Sequence, residues 1–355
     1  RQVAESRIRE NGSGVALGDV DGDDLTDIYF CRLDGSNALY RNLGNWKFED
    51  ISQDSGVDCP NRFSTGAAFA DLDADGDLDL LATSIGGGVR IYHNDGTGKF
   101  TPDQQSTLIH QYGATSIAIA DINNDGDLDF YIANYRTTTV RDGGDKVGAE
   151  VKRINGKIVV TPQERFIGRE APGRGLSIVE RGEPDILYVN RGKGIFSPVP
   201  WDSGAFLDPR RQKLKEPPRN WGLSALFHDL NGDQHPELYV CNDFSFSEDQ
   251  AYFSRQGRQF QSFSPFSIRN MSLSAMAVDA ADIDRDGDQD LFVVEMLSRD
   301  PASRQRQRAN ATALRQMHPD VTNPASTPEM LRNTLFLNRD DNTFAEIAQF
   351  SGLEA

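Results

Sequence analysis

Cysteine is scarce: three in 355 residues, at Cys31, Cys59 and Cys241. That is too few for a disulfide framework, and the spacing fits no zinc finger. Cys31 and Cys241 each fall twelve residues after the first Asp of an acidic cluster, so buried strand thiols are expected. No run of 18 apolar residues occurs, so no transmembrane segment is expected. Positive charge is in deficit, with 37 Lys and Arg against 54 Asp and Glu and a net charge of −17. That balance argues against nucleic acid as a partner. Enzyme signatures are missing too: there is no His-Glu-x-x-His, no Ser-centred elbow and no Cys/His nucleophile pattern. "GTGKFT" at 96–101 lacks the upstream Gly and following helix of a phosphate loop and reads as a hairpin turn. His228, just before an acidic cluster, reads as a packed strand residue. The sequence opens on Arg1 and not Met, so a processed or partial chain is expected, with export left open.

What is abundant is one acidic nonapeptide. It occurs five times: "DVDGDDLTD" from Asp19, "DLDADGDLD" from Asp71, "DINNDGDLD" from Asp121, "DLNGDQHPE" from Asp229 and "DIDRDGDQD" from Asp282. The start-to-start spacings are 52, 50, 108 and 53, one period of about 50 with a single long insertion. A small apolar strand precedes each copy ("GVALG", "GAAFA", "SIAIA", "SALFH", "AVDAA"). A β-branched and aromatic strand follows ("DIYFC", "DLLAT", "DFYIA", "ELYVC", "DLFVV"). A third strand ends in or near Asn ("ALYRN", "RIYHN", "ILYVN", "QAYFS", "LFLN"). A fourth opens on an aromatic ("KFEDI", "KFTPD", "IFSPV", "QFQSF", "TFAEI"). These are strands A to D of a meander. Such a unit buries its faces only by stacking on neighbours. Four antiparallel strands per repeat predict an all-β β-propeller, with blades at about 11–58, 62–108, 113–200, 220–266 and 272–352 within one domain, 1–355. Circular dichroism should then show at least about 35% strand. The five blades either close on themselves or belong to a larger ring.

Carboxylates this dense repel unless a cation answers them. In D-x-D-x-D-G-x-x-D, positions 1, 3 and 5 turn side-chain oxygens inward, position 7 offers its carbonyl, and the acid at 9 closes the shell. An all-oxygen, highly charged set suits Ca²⁺ better than Mg²⁺ or Zn²⁺. The candidate ligands are Asp19, Asp21, Asp23, Leu25 and Asp27 in loop 1, and Asp71, Asp73, Asp75, Asp77 and Asp79 in loop 2. They are Asp121, Asn123, Asp125, Asp127 and Asp129 in loop 3, and Asp229, Asn231, Asp233, His235 and Glu237 in loop 4. Loop 5 supplies Asp282, Asp284, Asp286, Asp288 and Asp290. Loop 4 ranks last, because Gln234 stands where Gly would ease a positive φ. An EF-hand is excluded: position 12 is Phe30, Ala82, Ile132, Val240 or Val293 and never Glu, and strands flank each loop. Up to five Ca²⁺ are expected, offsetting ten of the eighteen carboxylates at positions 1, 3, 5 and 9.

The repeated loop with its A and B strands resembles FG-GAP/VCBS repeats, as in integrin α-subunit propellers. The stretches "NWGLSALFHDLNGDQHPELYVCNDF" (220–244), "LSAMAVDAADIDRDGDQDLFVVEML" (273–297) and "MLRNTLFLNRDDNTFAEIAQFSGL" (330–353) are similar to the cartilage-acidic-protein-like group, which often carries an ASPIC/UnbV domain. That domain has no counterpart in these residues. The resemblance implies an extracytoplasmic, calcium-binding propeller used for adhesion or protein contact.

Three insertions interrupt the period: 136–184 and 298–330 between strands B and C, and 201–220 between strand D and the next strand A. In an up-down blade all three should leave the face opposite the acidic loops, which makes that face the expected protein-docking surface. Asn155-Gly156 inside the first insertion predicts a hairpin. Asp300 followed by Pro301 predicts a helix start, and Arg304, Arg306, Arg308 and Arg315 make that helix basic. Asn310-Ala-Thr312 and Asn270-Met-Ser272 fit the glycosylation pattern weakly. The expected function is a non-catalytic calcium-stabilised interaction scaffold. The alternative is the propeller of a polysaccharide lyase or hydrolase, with carbohydrate as partner.

Overall fold

The computed structural model describes residues 7–105, 108, 110–140, 142, 148–171, 175–244, 247–315 and 327–354. The side chains of Asn310, Thr312 and Arg315 lie outside the described residues. The chain is 42% strand and 7% helix, an all-β fold of propeller type. It divides into two compact units, Arg1–Lys146 with Pro184–Val199, and Val147–Glu183 with Pro200–Ala355.

The first unit holds three blades. Blade 1 is β1 (Val15–Gly18), β2 (Asp27–Phe30), β3 (Ala38–Asn42) and β4 (Phe48–Asp50). Blade 2 is β5 (Ser64–Ala70), β6 (Asp79–Ser84), β7 (Gly88–Asn94) and β8 (Phe100–Pro102). Blade 3 opens with β9 (Ala114–Ala120) and β10 (Asp129–Asn134). The chain then leaves for the second unit, where β11 (Glu150–Ile154) pairs with β12 (Lys157–Thr161), and β13 (Phe166–Ala171) with β14 (Gly175–Glu180). It returns as β15 (Ile186–Asn190) and β16 (Phe196–Pro198) to finish the blade.

The second unit carries the other two blades. Blade 4 is β18 (Gly222–His228), β19 (Glu237–Asn242), β20 (Gln250–Arg255) and β21 (Gln259–Ser262), preceded by β17 (Phe206–Leu207). A short β22 (Met271–Ser272) leads to blade 5, which is β23 (Ala275–Ala281), β24 (Asp290–Glu295), β26 (Thr334–Asn338) and β27 (Phe344–Glu346). Between them lie α1 (Pro301–Arg315) and β25 (Glu329–Met330), and α2 (Ala348–Ser351) follows.

One register serves all five blades. The first residue of strand B, an acid, pairs with the last of strand A: Gly18↔Asp27, Ala70↔Asp79, Ala120↔Asp129, His228↔Glu237 and Ala281↔Asp290. The next residue faces an aromatic on strand C: Ile28↔Tyr40, Leu80↔Tyr92, Phe130↔Tyr188, Leu238↔Tyr252 and Leu291↔Phe336. Alternation along each strand then gives every blade two apolar faces. Cores therefore form between neighbouring blades within each unit. Ala16, Tyr29 and Leu39 of blade 1 meet Leu80, Tyr92 and Phe100 of blade 2. Leu81 and Ile91 of blade 2 meet Phe130, Ile132 and Tyr188 of blade 3, and Tyr239 and Ala251 of blade 4 meet Leu291, Val293 and Phe336 of blade 5. Cys31, Cys59 and Cys241 are buried free thiols within these layers.

The insertions fold as their local chemistry dictates. Asn155 (φ 50°) and Gly156 (φ 78°) make the two-residue turn of the β11–β12 hairpin. Asp300 caps α1, its Oδ2 accepting from Ser303 N at 2.7 Å. Gly182 donates its N–H to Arg219 O at 3.0 Å, and a Cβ there would sit 1.5 Å from Asn220 O. Only glycine lets the hairpin segment lie that close to the start of blade 4. The 201–220 segment does not stay at the face expected of it. Its β17 runs parallel to β21 as a fifth strand, Phe206 opposite Phe260. Gly204 O accepts from Gln259 Nε2 at 3.1 Å, at the C–D turn on the acidic-loop side.

Candidate metal centres

All five acidic loops adopt one backbone. Position 6 has positive φ in each, at Asp24 (65°), Gly76 (99°), Gly126 (89°), Gln234 (67°) and Gly287 (102°). Position 4 does too, at Gly22 (74°), Ala74 (63°), Asn124 (58°), Gly232 (72°) and Arg285 (67°). Loops 1 and 4 therefore keep one glycine but move it from position 6 to position 4. The sequence pattern centred on position 6 misses that exchange.

The first Asp organises the turn. Asp19 accepts from the N–H groups of Asp21, Gly22, Asp23 and Asp24, and Asp121, Asp229 and Asp282 each accept from positions 5 and 6. Asp71 Oδ2 accepts from Gly76 N at 3.1 Å. Position 5 accepts from the N–H of position 7 in every loop: Asp23 from Leu25, Asp75 from Asp77, Asp125 from Asp127, Asp233 from His235 and Asp286 from Asp288.

Position 9 is the anchor. Asp27, Asp79, Asp129 and Asp290 are fully buried, and Glu237 is 1% exposed. Each uses both oxygens. One accepts from the N–H of loop position 2: Val20, Leu72, Ile122, Leu230 or Ile283. The other accepts from the N–H that closes strand C: Asn42, Asn94, Asn190, Ser254 or Asn338. Burial raises the carboxyls of Asp27, of Asp129 (to about 7) and of Glu237 (to about 8), with neighbouring loop carboxylates adding to the shift. A cation in the loop would reverse it.

The strand-C Asn does a second job. Asn94 Nδ2 donates to Leu78 O of its own loop and, at 2.8 Å, to Val20 O of loop 1. Asn190 does the same toward Leu128 O and Leu72 O, and Asn338 toward Gln289 O and Leu230 O. Each such Asn ties its own acidic loop to the one before it.

The predicted ligands converge to different extents. Oxygens of Asp19, Asp21 and Asp27, of Asp71, Asp73 and Asp75, and of Asp282, Asp284 and Asp290 lie within 4.8 Å of one another. Among the described residues no triad of acids forms in loops 3 and 4, where position 3 is Asn123 or Asn231. Several buried oxygens have no hydrogen-bond partner: Asp21 Oδ1, Asp71 Oδ1, Asp73 Oδ1 and Asp288 Oδ1. Buried orphan oxygens, all from hard donors, fit a bound cation.

The profile of the FG-GAP-like repeat matches residues 19–82, 71–132 and 229–293, together half of the chain. The chain belongs to the FG-GAP-like repeat family. This FG-GAP-like chain is 27% identical over 206 residues to Cartilage acidic protein 1 of Mus musculus, covering 52% of the chain and 31% of that protein. It is 25% identical over 169 residues to Cartilage acidic protein 1 of Homo sapiens, covering 46% and 25%. The chain thus spans a third or less of the length of these relatives. Among solved structures, the V. cholerae biofilm matrix protein Bap1 aligns with a TM-score of 0.41 at 15% identity, covering 93% of this chain and 38% of that one.

Two residues near the FG-GAP-like loops escape a motif reading. Arg41 pairs with Asp21 at position 3 of loop 1. His93 Nδ1 lies 3.4 Å from Asp73 Oδ2 and 3.5 Å from Asp79 Oδ2, while its Nε2 meets Asp103 at 2.9 Å. Asp79 and Asp103 push His93 up to about 9. Both bases sit immediately before the strand-C Asn, and "RN" and "HN" at that point are the signal that could have found them.

Proposed function

We propose that this chain is a non-catalytic, calcium-binding β-propeller scaffold that makes extracytoplasmic protein contacts. The five blades are read as parts of one propeller domain. The observation that supports the calcium reading most is the repetition of one backbone and one hydrogen-bond grid in all five loops, each around a buried acid, with orphan carboxylate oxygens beside it in loops 1, 2 and 5. Asp19, Asp71, Asp121, Asp229 and Asp282 would hold the ion at position 1, with positions 3, 5 and 9 and the carbonyl of position 7 completing the shell. When bound, the ion neutralises the loop and locks strands A, B and C together. Position 9 fixes the loop to strand C, and the Asn carries that restraint to the preceding blade. Modules of this kind with modest affinity fill at the calcium levels found outside the cytosol, which supports the extracytoplasmic reading. The protein partner is assigned to the segments that vary while the loops stay constant, 136–184, 201–220 and 298–330.

The deciding experiment is a thermal melt with calcium and with a chelator, paired with a calcium titration by calorimetry. A melt that the chelator leaves unmoved would sink the calcium reading. Mapping by cross-linking tests the surface: partner contacts confined to the acidic loops would overturn that assignment.

A further inference from the structure

A cavity of about 1020 Å³ opens in the second unit beside loop 4, against about 330 and 260 Å³ for two smaller ones. Its walls come from the C–D turn of blade 4, strand β21, the turn that bears Asn342 in blade 5, and Ser203–Ala205 of the segment leading into β17. The lining is polar: five serines, three glutamines, two asparagines, Arg255 and Arg258. Phe253 and Ala205 are its apolar side chains and Asp233 its one acid.

The wall is arranged in advance. Arg255 Nε donates to Gln261 Oε1 at 2.8 Å, and Gln261 Nε2 donates to Pro209 O at 3.1 Å. Gln259 Nε2 holds Gly204 O at 3.1 Å. Among the described residues, no hydrogen bond or ion pair uses the exposed side chains of Arg258 and Gln256. They stand at the cavity with donors to spare.

This chemistry selects a ligand class. Binding pockets for apolar molecules are lined mainly by apolar and aromatic side chains, and this one is not. Bases would need open aromatic faces, whereas Phe253 is stacked on Phe263 at 3.8 Å. Hydroxyl and amide groups around two guanidinia match a polyol that carries carboxylates. Glycoside hydrolysis needs two carboxyl groups flanking the bond, and the lining supplies only Asp233. We propose that this groove binds a segment of a uronate-rich polysaccharide, with Arg258 and Arg255 taking its carboxylates and Gln256 and Ser262 its hydroxyls. The groove shares Asn231 and Asp233 with loop 4, so binding is measured both with calcium and with chelator, and the guanidinium arm of the test does not depend on the calcium reading.

The test is calorimetric titration of the whole chain with hexaglucuronate, a neutral glucose hexamer and inorganic phosphate as separate probes, in calcium-containing buffer and in chelator. Saturable binding of hexaglucuronate is expected. Arg258→Ala should weaken it at least about tenfold, the loss of a charge-assisted hydrogen bond, and Gln256→Ala several-fold. Both variants should keep the parent melting temperature. Three results would each overturn the proposal: no binding of hexaglucuronate, equal affinity for the neutral hexamer, or undiminished binding by Arg258→Ala. Phosphate that binds as tightly as hexaglucuronate would reduce the site to a general anion contact and overturn it as well.

Discussion

Blade 2 and blade 4 fold the same loop from different letters. Loop 2 reads "DLDADGDLD" with its glycine at position 6 and a strand-C Asn94. Loop 4 reads "DLNGDQHPE" with its glycine at position 4 and Ser254 at the end of strand C. Both place positive φ at positions 4 and 6, and both bury the acid at position 9 under two backbone N–H groups. They differ in charge. Loop 2 offers four carboxylates at positions 1, 3, 5 and 9, and loop 4 offers three with Asn231 as the neutral member. The backbone grid therefore makes the fold, and the choice of acid or amide sets how strongly the loop demands a cation.

The widest gap between these blades should come from calcium itself. Removing it should cost about 2.7 kcal/mol for each site held at a hundredfold excess over its Kd. By calorimetry, loop 2 should account for a tighter step than loop 4. Next comes the buried acid. Asp79→Ala strips acceptors from Leu72 N and Asn94 N, at about 1–3 kcal/mol for each orphaned donor. Glu237→Ala strips acceptors from the equivalent pair, Leu230 N and Ser254 N, and from Asn231 Nδ2. In calcium the Asp79 variant should melt lower, and in chelator the order should reverse, because Glu237→Ala orphans one donor more. Equal losses in calcium would mean that loop 2 gains nothing from its fourth carboxylate.

A smaller effect separates the blades by pH. Burial holds Glu237 and Asp249 of blade 4 at about 8, above their values in the unfolded chain. The folded state then binds more protons than the unfolded state between about pH 4 and 8. Their contribution to stability is complete below about pH 4 and is lost as pH rises through about 8. Melts in chelator should fall across that window, and Asp249→Asn should flatten the slope. The smallest effect is the glycine exchange. Gln234→Gly should raise the melting temperature slightly, by relieving left-handed strain of about 1 kcal/mol.

Much of this was legible from residues alone, for reasons that differ by element. A strand period of two and a nine-residue acidic loop recur in five units, so the blades, the loops and the strand-C Asn stood out. The hairpin at Asn155-Gly156 and the cap at Asp300 follow from local rules and formed as read. Position 4 of the loop was invisible because Gly, Ala, Asn and Arg all occupy it. The β17 strand is two residues long, too short to show a period, so "WDSGAFLDPRRQKLKEPPRN" looked like a connection leaving the opposite face. Arg41 and His93 act across some twenty residues of sequence, which no local pattern spans. The polar groove needs three separate segments to meet, and only the fold supplies that.

The strand-C Asn has a mechanical consequence. From Asp27 through Val20 to Asn94, on to Asp79, Leu72 and Asn190, and so to Asp129, hydrogen bonds run without a break across three blades. A pull that separates two of these blades loads the Asn side-chain contact, and the same residue's main-chain N–H holds the buried acid of its own loop. Tension at a seam is thus passed to the acidic loop as well as to the strands. If the loops hold calcium as proposed, the seams become rivets whose strength rises with the ion, and a scaffold under load would stiffen or yield with the ion content of its surroundings.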